Sequence, residues 1–494
     1  MEKFKTRQKL GYLLGPLVFF VILFLPNSGT LSPEAQAVAA VTALMAIWWI
    51  TEAIPIPATA LIPVALFPFL GVMKASEATA PYANHLIFLF LGGFMIAMTM
   101  ERWNLHRRIA IRTILIVGDT PSRIILGFML ATAVLSMWIS NTATAMMMVP
   151  IGLSILKQTG DTMSGDPKLA NIHNSFSTSL MLGIGYAASI GGVATLIGTP
   201  PNILMAGFIE ESWGVEIGFG NWMAFALPLS FTMLILTWIY LTKVLFPVKE
   251  ISGIGNKNSM KAELEKLGPM SREEKMILIV FIVVALGWIS RGFINLPFIK
   301  YISDSTIAIS GALVLFMLPV NFNKGEFLLN WKTAVKIPWD VIILFGGGLS
   351  LAHGFTLSGL DAWIGNQVSL ININYMVFIG VIVLVTIFLT EITSNTATAA
   401  MFIPVLAGIS IAINIHPYGP IIAAAVAASF AFMLPVATPP NAIIFGSKKV
   451  SIPVMAKTGF FLNLLGWLLI TLAVAFFLEW AMNIRLDQIP DFIK

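Results

Sequence analysis

The sequence Ser-Asn-Thr-Ala-Thr-Ala occurs at residues 140–145 and again at 394–399, which is 254 residues further along the chain. Each copy interrupts a long apolar segment, at about 122–157 and 374–412. Each arm beside an interruption has about 16 residues, or roughly 24 Å of helix, which is shorter than the roughly 30 Å hydrocarbon core of a bilayer. We therefore predict that both segments are re-entrant hairpins, which enter and leave the membrane on the same side.

Three further pairs of landmarks follow the same order along the chain and indicate an internal repeat. They are Gly92-Gly93 with Gly346-Gly347, Pro150 with Pro404, and Thr-Pro-Pro-Asn at 199–202 with the same residues at 438–441. The first two pairs share the displacement of 254 residues, whereas the third is displaced by 239 residues. We attribute the shorter displacement to a polar loop at 159–174 that is longer than its counterpart at 411–420.

The composition is that of a membrane protein. Of the 494 residues, 57% are hydrophobic and only 11% are charged, with a mean hydropathy of +0.88. Soluble proteins have about a quarter charged residues. The sequence contains no cysteine, which excludes disulfides, thiolate metal sites and thiol catalysis. The net charge of +5 arises from basic residues at the ends of apolar segments, so it indicates membrane topology and not nucleic-acid binding.

We predict an all-α polytopic membrane protein with about eleven transmembrane helices in addition to the two hairpins. The predicted crossings are 10–27, 35–53, 57–73, 84–101, 180–210, 222–247, 276–293, 304–320, 340–358, 421–446 and 458–484. The predicted organisation is an N-terminal helix at 1–30, a first repeat at 31–250 with its hairpin at 122–157, a cytoplasmic linker at 251–275, and a second repeat at 276–494 with its hairpin at 374–412.

The distribution of Lys and Arg predicts a cytoplasmic N-terminus and a C-terminus outside, in the cell inner membrane. With this orientation the basic runs lie on the cytoplasmic side, at 102–123, 157–168, 249–275, 324–336 and 448–457. The segments predicted outside, 361–375 and 414–420, contain no Lys or Arg. No small-residue cleavage site follows the first apolar run, so we expect a retained helix and not a signal peptide.

Each predicted repeat has five crossings and one hairpin. Because five is odd, the two copies have opposite orientations in the membrane. This inverted-repeat architecture is typical of secondary transporters, whose substrates bind near the midplane at the repeat interface.

The four helix breaks predict where binding occurs, because broken helices survive in a membrane only against protein or a water-filled cavity. Ser, Asn and Thr favour helix N-caps. A Pro-Pro pair removes two backbone donors and leaves carbonyl oxygens without helical partners. Those oxygens suit a small alkali cation, and helix N-termini suit an anion.

The polar residues predicted near the midplane carry hydroxyl and amide groups, without Lys or Arg in the motifs. They are Ser136, Ser140, Asn141, Thr142, Thr199, Asn202, Thr390, Ser394, Asn395, Thr396, Thr438 and Asn441. A dianion that loses its water there needs compensating charge. We therefore expect obligatory coupling to cations.

Glu391 and the glycine pairs each allow two interpretations. Glu391 lies three residues before Ser394, and a carboxylate within a membrane often carries a proton or an ion. We expect it to stabilise the hairpin, with a direct ion or proton role as the alternative. The glycine pairs at 92–93 and 346–347 either permit close helix contacts or break a helix. The five histidines form no ligand-spaced cluster with carboxylates.

These motifs resemble those of the divalent anion/sodium symporter family, which includes bacterial dicarboxylate carriers and animal sodium-citrate cotransporters. The resemblance rests on both Ser-Asn-Thr motifs, both Thr-Pro-Pro-Asn motifs and the segment WWITEAIPIP at 48–57. It covers nearly the whole chain in the same order and spacing.

The resemblance implies two sodium sites and one carboxylate site. The first sodium would bind Ser136, Ser140, Asn141 and the carbonyl of Gly198, which we place by its repeat partner. The second would bind Thr390, Thr393, Asn395 and the carbonyl of Ala437. Substrate carboxylates would contact Asn141, Thr142, Asn395, Thr396, Thr438 and Pro439. The family also implies a homodimer and an elevator movement of the hairpin domain.

Three functions compete at this point. The first is sodium-coupled uptake of a C4-dicarboxylate such as succinate, malate or fumarate, or of citrate, with at least two sodium ions. The second is a sodium-independent exchanger or a carrier of arsenite or another oxyanion. The resemblance implies that exchangers of the family have basic side chains in place of the sodium ions. The hydroxyl residues Ser136 and Thr390 at the candidate ion positions therefore favour symport. The third is a membrane-embedded enzyme, which would need a nucleophile with a base or paired carboxylates. The polar set has hydroxyls without a nearby His or Lys.

Overall fold

A computed structural model describes residues 5–26, 31–118, 120–163, 167–247, 257–291, 301–368, 373–486, 489–490 and 493. Its helices are α1 (Thr6–Phe24), α2 (Pro33–Thr51), α3 (Ile56–Thr59), α4 (Ile62–Phe69), α5 (Ala75–Thr79), α6 (His85–Arg102), α7 (Leu105–Val117), α8 (Pro121–Ser136), α9 (Asn141–Met163), α10 (Pro167–Val193), α11 (Pro200–Trp213), α12 (Phe219–Ile239), α13 (Lys257–Lys266), α14 (Arg272–Arg291), α15 (Asp304–Met317), α16 (Trp331–Ala334), α17 (Trp339–Ser358), α18 (Leu360–Val368), α19 (Tyr375–Thr390), α20 (Asn395–Ala412), α21 (Tyr418–Ala428), α22 (Pro439–Gly446), α23 (Ile452–Phe476) and α24 (Leu478–Met482).

The predicted all-α membrane fold is confirmed. Among the described residues, eight helices are long and apolar enough to cross a membrane, and five shorter apolar helices accompany them. The number of eleven crossings stays a prediction, as does the assignment of the repeats. Residues 251–256 of the predicted linker and residues 292–293 of a predicted crossing lie outside the described residues.

Two helical interruptions lie where the Ser-Asn-Thr motifs predict the hairpin turns. Helices α8 and α19 have 16 residues each and end at Ser136 and Thr390. After four non-helical residues, α9 begins at Asn141 and α20 begins at Asn395. The motif asparagines are therefore the first residues of two helices, and we call residues 136–142 the first tip and 390–396 the second tip.

In the polar segment predicted as a loop, the described residues 159–163 and 167–174 are helical, which corrects the prediction for them; residues 164–166 lie outside the described residues. Helix α9 continues to Met163 and α10 begins at Pro167, well before the crossing predicted from residue 180. Hydropathy predicts only the apolar part of a helix, whereas the helix itself can continue through polar residues. A small antiparallel pair was also not predicted: β1 (Pro319–Asn321) pairs with β2 (Glu326–Phe327).

The glycine pairs permit close packing and do not break helices. Helix α6 runs unbroken through Gly92, where an added Cβ would lie 2.5 Å from the carbonyl carbon of Ala308 on α15. Helix α17 likewise runs through Gly347, which approaches the backbone of Ala60. Gly92 and Gly347 thus let a neighbouring backbone approach to a distance that a larger residue would prevent.

Two further breaks occur before the Pro-Pro pairs. Helix α10 ends at Val193 and α11 begins at Pro200, which leaves residues 194–199 non-helical. Helix α21 ends at Ala428 and α22 begins at Pro439, which leaves 429–438 non-helical. We call these the first break and the second break.

A buried ion pair holds α7, which joins α6 to the first hairpin, against the start of α14. Arg108 donates to both carboxylate oxygens of Glu274, at 2.7 and 3.0 Å. Only 4% and 5% of these two side chains are exposed. Arg108 also donates to the carbonyl oxygen of Gly268 at 2.9 Å.

We expect Arg108→Met to lower the melting temperature of the purified protein by roughly 5 °C or more, because it leaves the buried Glu274 carboxylate without its positively charged partner. Arg107→Met is the matched control, since Arg107 is 38% exposed and pairs with Glu263 at the surface. Thermal unfolding in detergent measures both variants. Equal shifts for the two arginines would contradict a special role of the buried pair.

Candidate binding site

A cavity of about 1070 Å³ is lined by residues of both tips and both breaks. Among its lining residues are Ser140, Asn141, Thr142, Gly198, Thr393, Ser394, Asn395, Thr396, Ala437, Thr438 and Pro439. Ser136 and Thr390 lie behind this wall and are fully buried. All the residues predicted for binding therefore lie at the cavity or directly behind it.

At the first tip, polar atoms of Ser136 and Asn141 meet two backbone carbonyl oxygens. Ser136 Oγ donates to the carbonyl oxygen of Ala188 on α10 at 2.7 Å. One terminal atom of the Asn141 amide lies 2.5 Å from Ser136 Oγ, 3.1 Å from Ala188 O and 3.3 Å from Gly198 O. The tip is thus joined to the helix before the first break and to the break itself.

The orientation of the Asn141 amide decides what this arrangement binds. With the nitrogen at that position, the amide donates hydrogen bonds to both carbonyl oxygens. With the oxygen at that position, the amide, the hydroxyl and both carbonyls form a set of four oxygen atoms. Oxygens of this kind, including carbonyls of an unwound helix, coordinate sodium in secondary transporters.

The second tip repeats this arrangement. Thr390 Oγ1 lies 2.8 Å from Asn395 Oδ1 and 2.9 Å from the carbonyl oxygen of Ala428, where α21 ends. A hydroxyl four residues before the motif serine, the motif asparagine and a helix carbonyl thus meet at both tips. Thr393 lines the cavity, and its hydroxyl lies 2.9 Å from Leu389 O and 2.6 Å from Thr398 Oγ1. Its role as a sodium ligand stays a prediction.

Three contributors were not predicted from the sequence. The carbonyls of Ala188 and Ala428 have no side-chain signature, and only the repeat could have pointed to them. Gly192 is the third: a Cβ there would lie 2.5 Å from Asn141 Oδ1 and 2.9 Å from Gly198 O. Only glycine therefore lets α10 approach the first tip this closely.

Four helices begin at the cavity wall, and these are α9, α11, α20 and α22. Ser140 Oγ accepts a hydrogen bond from Ala143 N at 3.2 Å, and Thr438 Oγ1 accepts one from Asn441 N at 3.3 Å. The free N–H groups and partial positive charges of helix N-termini favour anions. The helix starts at the tips and breaks thus offer partial positive charge without a basic side chain from the motifs.

The asparagines of the Thr-Pro-Pro-Asn motifs stabilise the two breaks. Asn202 Nδ2 donates to the carbonyl oxygens of Val193 and Thr195, at 3.0 and 2.8 Å. Asn441 Nδ2 donates to those of Ala431 and Leu434, at 3.0 and 3.1 Å. Both side chains are fully buried. They act as supports for the breaks and do not line the cavity.

Charged side chains also line the cavity. They are Arg7, Glu52, Glu101, Lys336 and Asp340. Arg7 pairs with Glu52 at 2.6 Å. Arg7 and Lys336 belong to the N-terminal region and the basic run 324–336, which the sequence predicts to be cytoplasmic.

Comparison with known proteins gives full-length matches. Residues 7–484 match the family described as the sodium:sulfate symporter transmembrane region. A sodium-dependent dicarboxylate transporter, SdcS of Staphylococcus saprophyticus, is 45% identical over 491 residues, which cover 99% of this chain and 94% of that protein. The SdcS protein of Staphylococcus aureus strain MRSA252 is 43% identical over the same shares.

Two solved transporter structures share the fold. YdaH of Alcanivorax borkumensis has a TM-score of 0.58 and 12% identity, and the likeness covers 89% of this chain and 98% of YdaH. MtrF of Neisseria gonorrhoeae has the same score and identity, with 97% and 100% covered. The likeness to these two proteins supports the fold alone. From the family match and the full-length relatives together, the chain belongs to the sodium:sulfate symporter family.

Proposed function

We propose that this protein is a secondary active transporter that imports C4-dicarboxylates such as succinate, malate and fumarate, or citrate, together with at least two sodium ions. The observation that carries the proposal is the matching arrangement at the two tips, which is an oxygen cluster at the first tip when the amide oxygen of Asn141 faces Ser136 and Ala188. Each cluster joins a tip hydroxyl, a motif asparagine and a backbone carbonyl. Each lies beside a helix N-terminus that faces the cavity.

We assign sodium and substrate to different groups of the site on the basis of charge. Oxygen clusters without a carboxylate suit monovalent cations, whereas the N-termini of α9, α11, α20 and α22 suit the carboxylates of a substrate. We place sodium at the clusters around Ser136 and Thr390, and the substrate against Asn141, Thr142, Asn395, Thr396 and the Thr438-Pro439 turn. Bound sodium offsets the charge of a dianion that has lost its water.

The relatives support the dicarboxylate as cargo, because SdcS is named a sodium-dependent dicarboxylate transporter. A second candidate is an oxyanion carrier, since the family description names sulfate. Helix N-termini bind either anion. A sodium-independent exchanger remains the other alternative. The membrane-embedded enzyme is disfavoured, because the relatives are named as transporters.

Transport is proposed to occur by alternating access with an elevator movement of the hairpins, in a homodimer of the plasma membrane. The proposed topology has a cytoplasmic N-terminus and a C-terminus outside. The presence of Arg7 and Lys336 at the cavity supports a cytoplasm-facing state, because both lie in segments that positive-inside counting places in the cytoplasm.

We expect uptake of labelled succinate into proteoliposomes to require an inward sodium gradient and to fall to background when choline replaces sodium. The physical reason is that the tips contain no basic side chain to replace the cation. Excess unlabelled sulfate tests the oxyanion alternative, and internal dicarboxylate tests exchange. Uptake that is indifferent to sodium but needs internal dicarboxylate would make the protein an exchanger and remove Ser136 and Thr390 as cation ligands.

A further inference from the structure

Glu391 is a buried carboxylate at the second tip for which the proposed transport cycle assigns no role. Its side chain is fully enclosed, with 3% of the residue exposed. Oε1 accepts hydrogen bonds from Phe432 N at 2.7 Å, Met433 N at 2.9 Å and Asn463 Nδ2 at 2.8 Å. Oε2 accepts one from Leu434 N at 3.1 Å. Three of the four donors belong to the second break.

These backbone donors need an acceptor because α21 ends at Ala428 and the following residues are not helical. An unpaired N–H in apolar surroundings costs several kcal/mol. Here Oε1 accepts three hydrogen bonds and Oε2 accepts one, so both carboxylate oxygens are bound to the second break. The four N–H donors favour the carboxylate over a neutral acid, and they tie it to the backbone of the second break.

The first tip makes the equivalent connection with neutral groups. The residue 254 positions before Glu391 is Met137, whose carbonyl oxygen accepts a hydrogen bond from Thr195 Oγ1 at 2.5 Å. The same hydroxyl accepts one from Gly198 N at 3.1 Å. Helix α10 continues to Val193, and Ala194 N still bonds to the carbonyl oxygen of Gly191 at 3.0 Å. At the first break a hydroxyl thus accepts from a backbone N–H, whereas at the second break a carboxylate accepts from three.

We propose that Glu391 is a positioning residue for the second cation cluster. By binding the N–H groups of 432–434, it fixes the second break against the tip that carries Thr390 and Asn395. The break connects Ala428, whose carbonyl belongs to the cluster, to the Ala437-Thr438 turn. The second cluster thus depends on a fixed negative charge, and the first cluster does not. This inference rests on the proposed sodium coupling.

The test is the sodium dependence of succinate uptake by Glu391→Gln in proteoliposomes. The NH2 of the new glutamine side chain would face backbone N–H groups that need an acceptor, which leaves at least one of those backbone donors unpaired. We expect the sodium concentration for half-maximal uptake to rise about tenfold, which corresponds to about 1.4 kcal/mol. The succinate KM at saturating sodium should change less than about threefold, and the Hill coefficient for sodium should stay that of the wild type.

Two further variants keep the test decisive. Glu391→Asp keeps the charge and the acceptors, so it should recover part of the sodium affinity that the Gln variant loses. Asn463→Ala removes one side-chain donor to Glu391 and leaves the backbone donors in place, so it should raise the half-maximal sodium concentration about threefold. This variant tests the positioning role if Glu391→Gln does not fold. Glu34→Gln, at an exposed position on α2, is the control for loss of a carboxylate and should match the wild type.

The outcomes separate this inference from the proposed function. Wild-type uptake that needs sodium, with unchanged sodium dependence in Glu391→Gln and Asn463→Ala, would overturn the positioning role alone. A lower Hill coefficient for sodium in the Gln variant would also overturn the positioning role, because that result would indicate that Glu391 is a direct ligand of an ion. Wild-type uptake without any need for sodium would instead remove the proposed function and with it the basis of this inference.

Discussion

Asn141→Ala and Asn395→Ala are each expected to reduce sodium-driven succinate uptake by at least about a hundredfold. Each asparagine lies at the cavity wall and also contacts the hydroxyl of a buried cluster, Ser136 Oγ or Thr390 Oγ1. A single alanine therefore removes one cation ligand and one substrate contact. Two interactions of about 1.5–3 kcal/mol each correspond to a factor of about a hundred or more.

The matched control for these variants is Asn330→Ala. Asn330 is exposed and caps the short helix α16 through Thr333 N, far along the chain from either tip. It should transport like the wild type. All variants must first elute as monodisperse protein in detergent, so that a loss of uptake reports on binding. Normal uptake by either tip variant would contradict the assignment of that tip.

Gly192→Ala is expected to have an effect of similar size on uptake, although it adds only a methyl group. The new Cβ would lie 2.5 Å from Asn141 Oδ1 and 2.9 Å from Gly198 O, closer than real Cβ contacts occur. Either the amide of Asn141 or the first break must then move, and both belong to the first cluster. The result should be uptake lowered by about a hundredfold, because one displaced group disturbs several ligands at once.

Gly380→Ala is the control for adding a methyl group within a helix of the fold. A Cβ at Gly380, on α19, would have its nearest neighbour at 3.7 Å, which is an ordinary contact. We expect normal uptake from this variant, with a melting temperature that is equal or slightly higher, since Ala favours helices over Gly by about 1 kcal/mol. Comparable sodium-driven uptake by Gly192→Ala and Gly380→Ala would contradict the close contact at the first tip.

The repeated motifs made the main features of the fold and site predictable. Because Ser-Asn-Thr and Thr-Pro-Pro-Asn each occur twice, the sequence located four helix interruptions, and the structure has non-helical residues at all four. The side chains at these positions could also be named in advance. Ser136 and Asn141 at one tip, and Thr390 and Asn395 at the other, lie together as predicted.

The backbone part of the site could not be predicted in the same way. The carbonyls of Ala188 and Ala428 contribute oxygen atoms, but any residue type carries a carbonyl. Glycine is likewise needed at position 192 because α10 contacts the first tip there. Local sequence patterns do not predict this contact. Thr393 was assigned as a sodium ligand from the resemblance alone, and that assignment stays a prediction; its hydroxyl contacts Leu389 and Thr398.

The structure favours one of the interpretations that the sequence allows for Glu391. In the sequence it is an acidic residue near a predicted site, which is compatible with an ion ligand, a proton carrier or a structural group. The contacts with Phe432, Met433 and Leu434 lie 41 to 43 residues away in the chain, so no spacing rule reveals them. These hydrogen bonds favour the structural interpretation.

The most direct test of sodium-coupled transport is to measure the entry of labelled sodium and labelled succinate together, in the same proteoliposomes at a clamped membrane potential. Two matching oxygen clusters predict that at least two sodium ions enter with each dicarboxylate, and that Asn141→Ala and Asn395→Ala abolish both fluxes. Succinate entry without accompanying sodium entry would contradict the coupling, and with it the assignment of both clusters as cation sites.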